Sequence, residues 1–234
     1  MPTNDHNRDT SQVVYARLRE LITRGNLAPG ARVLESEVAD RFEVSRTPVR
    51  QATRRLAHEG YIRYEEQGKR RSSAVVAPLT RSDAYELFMI VGALEGVAAR
   101  RVASSEEDVR DRVSADLADA NELLRAMTRE KDPSTNGLFD LDSHFHQIIV
   151  DGGSGPRLEE VHGRLKPQTE RYVRTYMYGI REEFVDSLEE HRAIIEAIST
   201  GDPKRAAEAV ADNWHNAGRR LSQIVDNLGE RGVW

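Results

Sequence analysis

The chain has 234 residues, no cysteine, 31% charged residues and 6% aromatics. The lack of cysteine excludes disulfides, thiolate nucleophiles and Cys-ligated zinc. No apolar run approaches the ~20 residues that a membrane-spanning helix needs. The net charge of −5 is uneven: residues 1–78 hold 14 Lys and Arg against 10 Asp and Glu, a net +4, and residues 79–234 hold 20 against 29, a net −9. Nucleic acid attracts cations through counterion release, so the N-terminal third is where it would sit.

The first ten residues, MPTNDHNRDT, are polar and are expected to be disordered. They carry no apolar core of a secretory signal, which points to a cytoplasmic location. From Ser11 to about Arg24, apolar residues at Val14, Leu18, Leu21 and Ile22 have helical spacing, with Ser11 as N-cap. Leu27-Ala28-Pro29-Gly30 is a turn signal. A short helix follows from about Glu35 to Phe42, then the turn Glu43-Val44-Ser45, then a helix from about Arg46 to Glu59. Ser45 is a natural cap for that helix, Pro48 fits its first turn, and Gly60 ends it. Tyr61–Tyr64 and Ala74–Val76 read as two strands joined by a basic loop.

Three helices and a two-stranded wing, over residues 11–78, form a winged helix-turn-helix. The second helix of the turn motif enters the major groove with its N-terminal residues on the base edges. Arg46, Thr47 and Arg50 stand there, and Arg54 lies one turn beyond Arg50 on the same face. The arginine fork can donate two bonds to guanine. The wing loop Gly68-Lys69-Arg70-Arg71 would bring positive charge to phosphate or to the minor groove. The same arginines would also suit a merely solvated face; the order of turn, helix and basic wing favours DNA.

Residues 79–234 read as helical throughout, with helices near 82–103, 106–130, 138–151, 156–178, 182–199 and 203–229 and a linker at 77–82. The breaks fall at Ser104-Ser105, Asp132-Pro133-Ser134, Gly152-Gly153, Gly179 and Gly201-Asp202-Pro203. Val210, Trp214, Ala217, Leu221, Ile224 and Leu228 form the stripe of a helix packed along its length. The fold class is therefore mainly α: an N-terminal winged helix-turn-helix and a C-terminal all-α six-helix bundle. Within the bundle, Asp142 and His146 share a helical face, and His191 and His215 lie on later helices. Such a set suits a divalent ion such as Zn or Ni, although the spacing alone also fits a surface ion pair and unrelated histidines.

Several runs carry a family resemblance. Gly25–Gly30, Leu34-Glu35, Val44-Ser45-Arg46-Thr47-Pro48-Val49-Arg50, Arg55-Leu56 and Glu59-Gly60-Tyr61 resemble the GntR family winged helix. That resemblance implies operator contacts by Arg46, Arg50, Thr47 and the wing tip. Gln51 departs from the usual glutamate, and the wing is longer than common and lacks a second glycine. Leu94-Glu95 with Ala98-Ala99, Asp142-x-x-Phe145-His146, Glu190-His191-Arg192-x-Ile194 and Gly201-Asp202 resemble the FCD effector domain of the FadR-type subfamily, in its six-helix, VanR-like branch. The resemblance implies a metal held by one aspartate and three histidines, and Asp142, His146 and His191 match three of these. The fourth position falls on Asn213, with His215 two residues later as a substitute. Two residues turn a helix by about 200°, so the two cannot serve interchangeably.

The family's effectors are small carboxylates, often anchored by an arginine at the place occupied here by Val91. Arg171 and Arg174 are the alternative anchors. The resemblance further implies a homodimer on a pseudo-palindromic operator, with effector binding favouring one inter-domain arrangement and repression more common than activation. Two other readings stay open. One is a regulator that senses the metal itself. The other is a metal-dependent hydrolase, against which no glutamate adjoins the ligands in an H-E-x-x-H manner.

Overall fold

A computed structural model describes residues 3–66, 72–176 and 183–233. It divides into two compact units, Met1–Thr80 with Glu230–Trp234, and Arg81–Gly229. No helix among the described residues is long and apolar enough to cross a membrane.

The first unit contains α1 (Thr3–Thr23), α2 (Glu35–Phe42), α3 (Arg46–His58), β1 (Ile62–Glu66) and β2 (Ser72–Val76). Helix α1 starts at Thr3, so the segment expected to be disordered is helical and Ser11 lies inside the helix. Once the Val14, Leu18 and Ile22 stripe is docked, each further residue adds a backbone bond at small cost. The stripe packs on Val49, Ala52 and Leu56 of α3 and on Tyr61 and Val76. The turn between α2 and α3 is tight because Glu43 adopts φ 56°, ψ 43°. That left-handed conformation lets the amides of Glu43 and Val44 reach the carbonyls of Asp40 and Ala39.

Strands β1 and β2 are antiparallel, with Ile62 opposite Val76 and Glu66 opposite Ser72. The chain after Pro29 adds a third edge: Val33 donates to Ala74 (2.8 Å) and Val76 to Ala31 (2.9 Å). The last residues, assigned by sequence to the second domain, group with the first. Leu79 and Arg231 exchange both backbone bonds there, at 2.9 and 3.1 Å.

The second unit is helical throughout its described residues: α4 (Arg81–Ala103), α5 (Glu107–Thr128), α6 (Thr135–Gly153), α7 (Pro156–Thr175), α8 (Glu183–Ser199) and α9 (Pro203–Leu228). Helix α4 buries one face along its length and lies close against α9. A methyl at Gly92 would stand 2.6 Å from Trp214 Cβ, and one at Gly96 would stand 3.0 Å from the Ala207 carbonyl. The glycines thus set the approach of the two helices. Gly152 and Gly153, expected to break the chain, are the last two residues of α6, which Ser154 caps. A Cβ at Gly153 would collide with the Ala98 carbonyl, so glycine at this helix end also serves close packing. Side-chain caps open two helices: Ser134 accepts from Gly137 and Asp202 from Arg205. The expected break at Gly179 lies outside the described residues.

Candidate functional site

In the first unit, helix α3 divides cleanly by exposure. Val49, Ala52, Thr53 and Leu56 are buried, whereas Arg46, Thr47, Arg50 and Arg54 are exposed. Ser45 caps the helix with extended backbone but without a side-chain hydrogen bond. Among the described residues, the three exposed arginines make no ion pair, so their forks remain available to a ligand. Arg50 and Arg54 line a shallow groove with Glu35, Tyr64 and Ser73. Tyr64 stands exposed on β1, its hydroxyl 3.5 Å from Thr53 Oγ1.

Arg55 belongs to the opposite side. Its guanidinium lies 3.8 Å over the Tyr15 ring and bonds Glu59 at 3.0 Å and Gln12 at 2.7 Å. Four exposed arginines on one helix therefore split into three without an ion pair among the described residues and one that braces α1. The wing-tip set Gly68, Lys69, Arg70 and Arg71 lies outside the described residues.

In the second unit, Asp142, His146 and His191 converge, with one ligand atom of each within 4.8 Å of the others. Asp142 and His146 come from successive turns of α6, as their spacing implied, and His191 from α8. His191 Nδ1 lies 3.1 Å from Asn121 Oδ1, and Asn121 Nδ2 donates to the Leu188 carbonyl at 3.2 Å. The second bond orients the amide, so Oδ1 accepts and His191 carries its proton on Nδ1. Its Nε2 then presents a lone pair, buried, 3.6 Å from Asp142 Oδ1 and without a hydrogen-bond partner. Burial, reinforced by His146, pushes this imidazole well below its ordinary pKa, which keeps the ring neutral. A buried acceptor left bare is costly unless a cation or donor fills the position. The donor set therefore fits a divalent ion.

Behind His146 stands Glu95, which sequence reasoning noted only as a family match. Glu95 is fully buried on α4 and accepts from His146 Nδ1 (2.6 Å), His162 Nε2 (2.9 Å) and Trp214 Nε1 (2.7 Å). Lys166 Nζ is 3.7 Å away. Burial alone would raise this carboxyl, but His146 and Lys166 beside it, with the hydrogen bonds from His146 and His162, hold it well below the usual range. Burial pushes Asp142 up instead, against the pull of His146 and Lys166.

Asn213 is buried on the wall of the cavity that Asp142 and His146 also line, and its Nδ2 donates to Glu190 at 2.7 Å. His215 is turned away, with Nδ1 3.4 Å from the Tyr85 hydroxyl and 3.3 Å from Met89 Sδ. The helical rotation between the two positions explains the split, and His215 is not a substitute ligand. Neither Arg171 nor Arg174 lines the cavity. Arg171 is buried, and Arg174 bonds Asn136 and Asp140 at 3.1 and 3.3 Å beneath Phe139. The cations that do line it are Lys166 and Arg220, which sequence reasoning missed. Val91 is fully buried in α4.

Both units match known families. Residues 10–69 match the bacterial regulatory proteins of the gntR family, and residues 86–216 match the FCD domain. The chain is 27% identical over 217 residues to the gluconate operon transcriptional repressor of Bacillus subtilis (strain 168), covering 91% of this chain and 85% of that one. It is 25% identical over 231 residues to the galactonate operon transcriptional repressor of Escherichia coli (strain K12), covering 92% and 98%. The crystal structure of a GntR transcriptional regulator from Rhodococcus sp. RHA1 shares the fold, with TM-score 0.67 and 20% identity over 90% of this chain and 96% of that one. These families and relatives are regulators of transcription rather than enzymes. With an exposed arginine face on one unit, a cavity in the other, and matches to both domains, the chain belongs to the gntR family of bacterial regulatory proteins, in the group that carries a C-terminal FCD domain.

Proposed function

We propose that this regulator is a repressor that binds a two-fold operator as a homodimer, and that its grip changes when a small carboxylate enters the bundle cavity beside a divalent ion. The observation that carries the cavity half is the bare, buried Nε2 of His191 facing Asp142 and grouped with His146.

On the DNA side, Arg46, Thr47, Arg50 and Arg54 would face the major groove, and the Lys69-Arg70-Arg71 run beyond Gly68 would meet backbone phosphate. Asp142, His146 and His191 would hold the ion, with the Asn213 carboxamide as an oxygen donor near it. When bound, Zn, Ni or a similar ion supplies a point of positive charge that attracts a carboxylate. Asn121 and Glu95 keep the two imidazoles in the tautomers that present Nε2 to the cavity. Lys166 and Arg220 add positive charge on the same wall. The relatives named for gluconate and galactonate operons favour an acid as the signal. Coupling to DNA is then a linkage effect: the acid shifts operator affinity only as far as it binds the DNA-bound and free forms differently.

The test is a mobility-shift titration of operator DNA with ion-loaded and chelator-treated protein, each with and without a panel of small acids. The expected result is an acid-dependent change in operator affinity that chelation removes. A change produced by the ion alone, with no acid effect, would replace this reading with a metal-responsive one. Equal affinity in every arm would remove the cavity from regulation.

A further inference from the structure

We infer that the bundle cavity selects a carboxylic acid with a compact apolar body, aromatic or branched aliphatic, over a polyhydroxylated acid. The inference rests on the reading of the cavity as an acid site and narrows it.

Most of the wall is apolar: Phe88, Phe139, Val173, Phe184, Trp214 and Leu221. Beyond Asp142 and His146, which would meet the ion, the lining groups Asn213, Arg220, Lys166 and Thr169 are already engaged. Asn213 and Arg220 bond Glu190, at 2.7 and 2.9 Å. Lys166 lies 3.7 Å from Glu95 and 4.3 Å over the Trp214 ring, and Thr169 Oγ1 donates to the Lys166 carbonyl at 2.7 Å. Each hydroxyl of a sugar acid would leave its water bonds for a surface with few replacements, and a buried unpaired hydroxyl is costly. A ring or branched chain has no such debt and gains from the aromatic wall.

Charge sets the head group. Lys166 and Arg220 line the cavity, each beside a carboxylate, Glu95 at 3.7 Å and Glu190 at 2.9 Å, and an ion held by Asp142, His146 and His191 would add the positive charge that a carboxylate head meets. Size sets the body. The cavity has a volume of about 60 Å³, several times the ~10–15 Å³ that admits one water. That suits a compact molecule rather than a long acyl chain.

The test is isothermal titration of the full-length protein, zinc-loaded and chelator-treated, with benzoate, isovalerate, gluconate and benzyl alcohol. The expected result is that benzoate or isovalerate binds the loaded protein at least tenfold more tightly than gluconate does. Benzyl alcohol should bind at least tenfold more weakly than benzoate, and chelation should weaken both apolar acids. Gluconate binding as tightly as either apolar acid overturns the selectivity and leaves the acid-site reading intact. Benzyl alcohol matching benzoate, or acids unaffected by chelation, overturns the anionic head-group argument. Heat from none of the acids overturns both the inference and the reading beneath it.

Discussion

Glu95 Oε2 lies 2.6 Å from His146 Nδ1, which joins the middle of α4 to α6 and leaves the far nitrogen of the ring for the cavity. Because Glu95 is held ionised, it can only accept, so the proton of that bond sits on the histidine. One buried carboxylate thus orients His146, anchors His162 and Trp214, and balances Lys166.

Glu95→Gln keeps the shape but removes the charge and one acceptor site. Zinc affinity, read by competition with a chromophoric chelator, should fall about 10- to 100-fold, the usual effect of losing a carboxylate behind a histidine ligand. The variant should also lose about 3–5 kcal/mol in denaturant unfolding, since Lys166 is left buried without its counter-charge. Unchanged zinc affinity would mean that His146 does not depend on Glu95 for its orientation.

Asn121 plays the corresponding part for His191. Asn121→Leu should lower zinc affinity about tenfold, whereas Asn121→Asp, which retains an acceptor for Nδ1, should keep most of it. The contrast between the two variants matters more than either alone, because a purely structural role would not favour aspartate. Equal losses would count against the tautomer argument.

Asn213 stands where the family pattern implies a third histidine. Asn213→His should raise zinc affinity at least tenfold in the same competition assay, because an imidazole is a stronger donor than a carboxamide. No gain would place position 213 outside the coordination reach of the cluster.

Acid should destabilise the ion-free bundle. Burial and His146 lower the His191 pKa from its ordinary 6.5. Folding then favours the neutral ring, and this contribution, present above pH 6.5, declines as pH falls below it. Glu95 is lowered too, so its contribution is lost in a further window below its ordinary 4.5. Asp142 is raised and works the other way, with protonation near its ordinary 3.8 and above relieving strain. Thermal melts of chelated protein should therefore show Tm falling from pH 7.5 to pH 5.5, and His191→Asn should flatten that slope. A Tm independent of pH over this range would show that His191 does not titrate on unfolding.

The arginines of α3 should separate by function. Arg50→Ala should weaken specific operator binding by about 1–3 kcal/mol per base contact with little change in Tm. Arg55→Ala should instead lower Tm, since it removes the brace over Tyr15 and the bonds to Glu59 and Gln12. Operator affinity unchanged by Arg50→Ala, in a mobility-shift titration, would move base reading to other residues.

The local elements were legible from the chain itself, because their signals are short-range. Glu35–Phe42, the Glu43-Val44-Ser45 turn and the start of the next helix at Arg46 follow from apolar period, caps and turn residues, and the structure has them at those positions. Asp142 and His146 share a face because four residues are one helical turn, and no tertiary knowledge is needed for that. Other features depend on which faces meet. Gly152-Gly153 reads as a break, and α6 ends there, but that Ala98 presses against Gly153 follows only from packing. Arg174 and His215 looked available by type, but Asp140 and Asn136 hold one, and helical rotation turns the other toward Tyr85 and Met89. Glu95, Asn121, Lys166 and Arg220 lie on four different helices, with no spacing to link them. Packing alone could bring them around His146 and His191, because orientation by hydrogen bonds and pairing of buried charge act through space rather than along the chain.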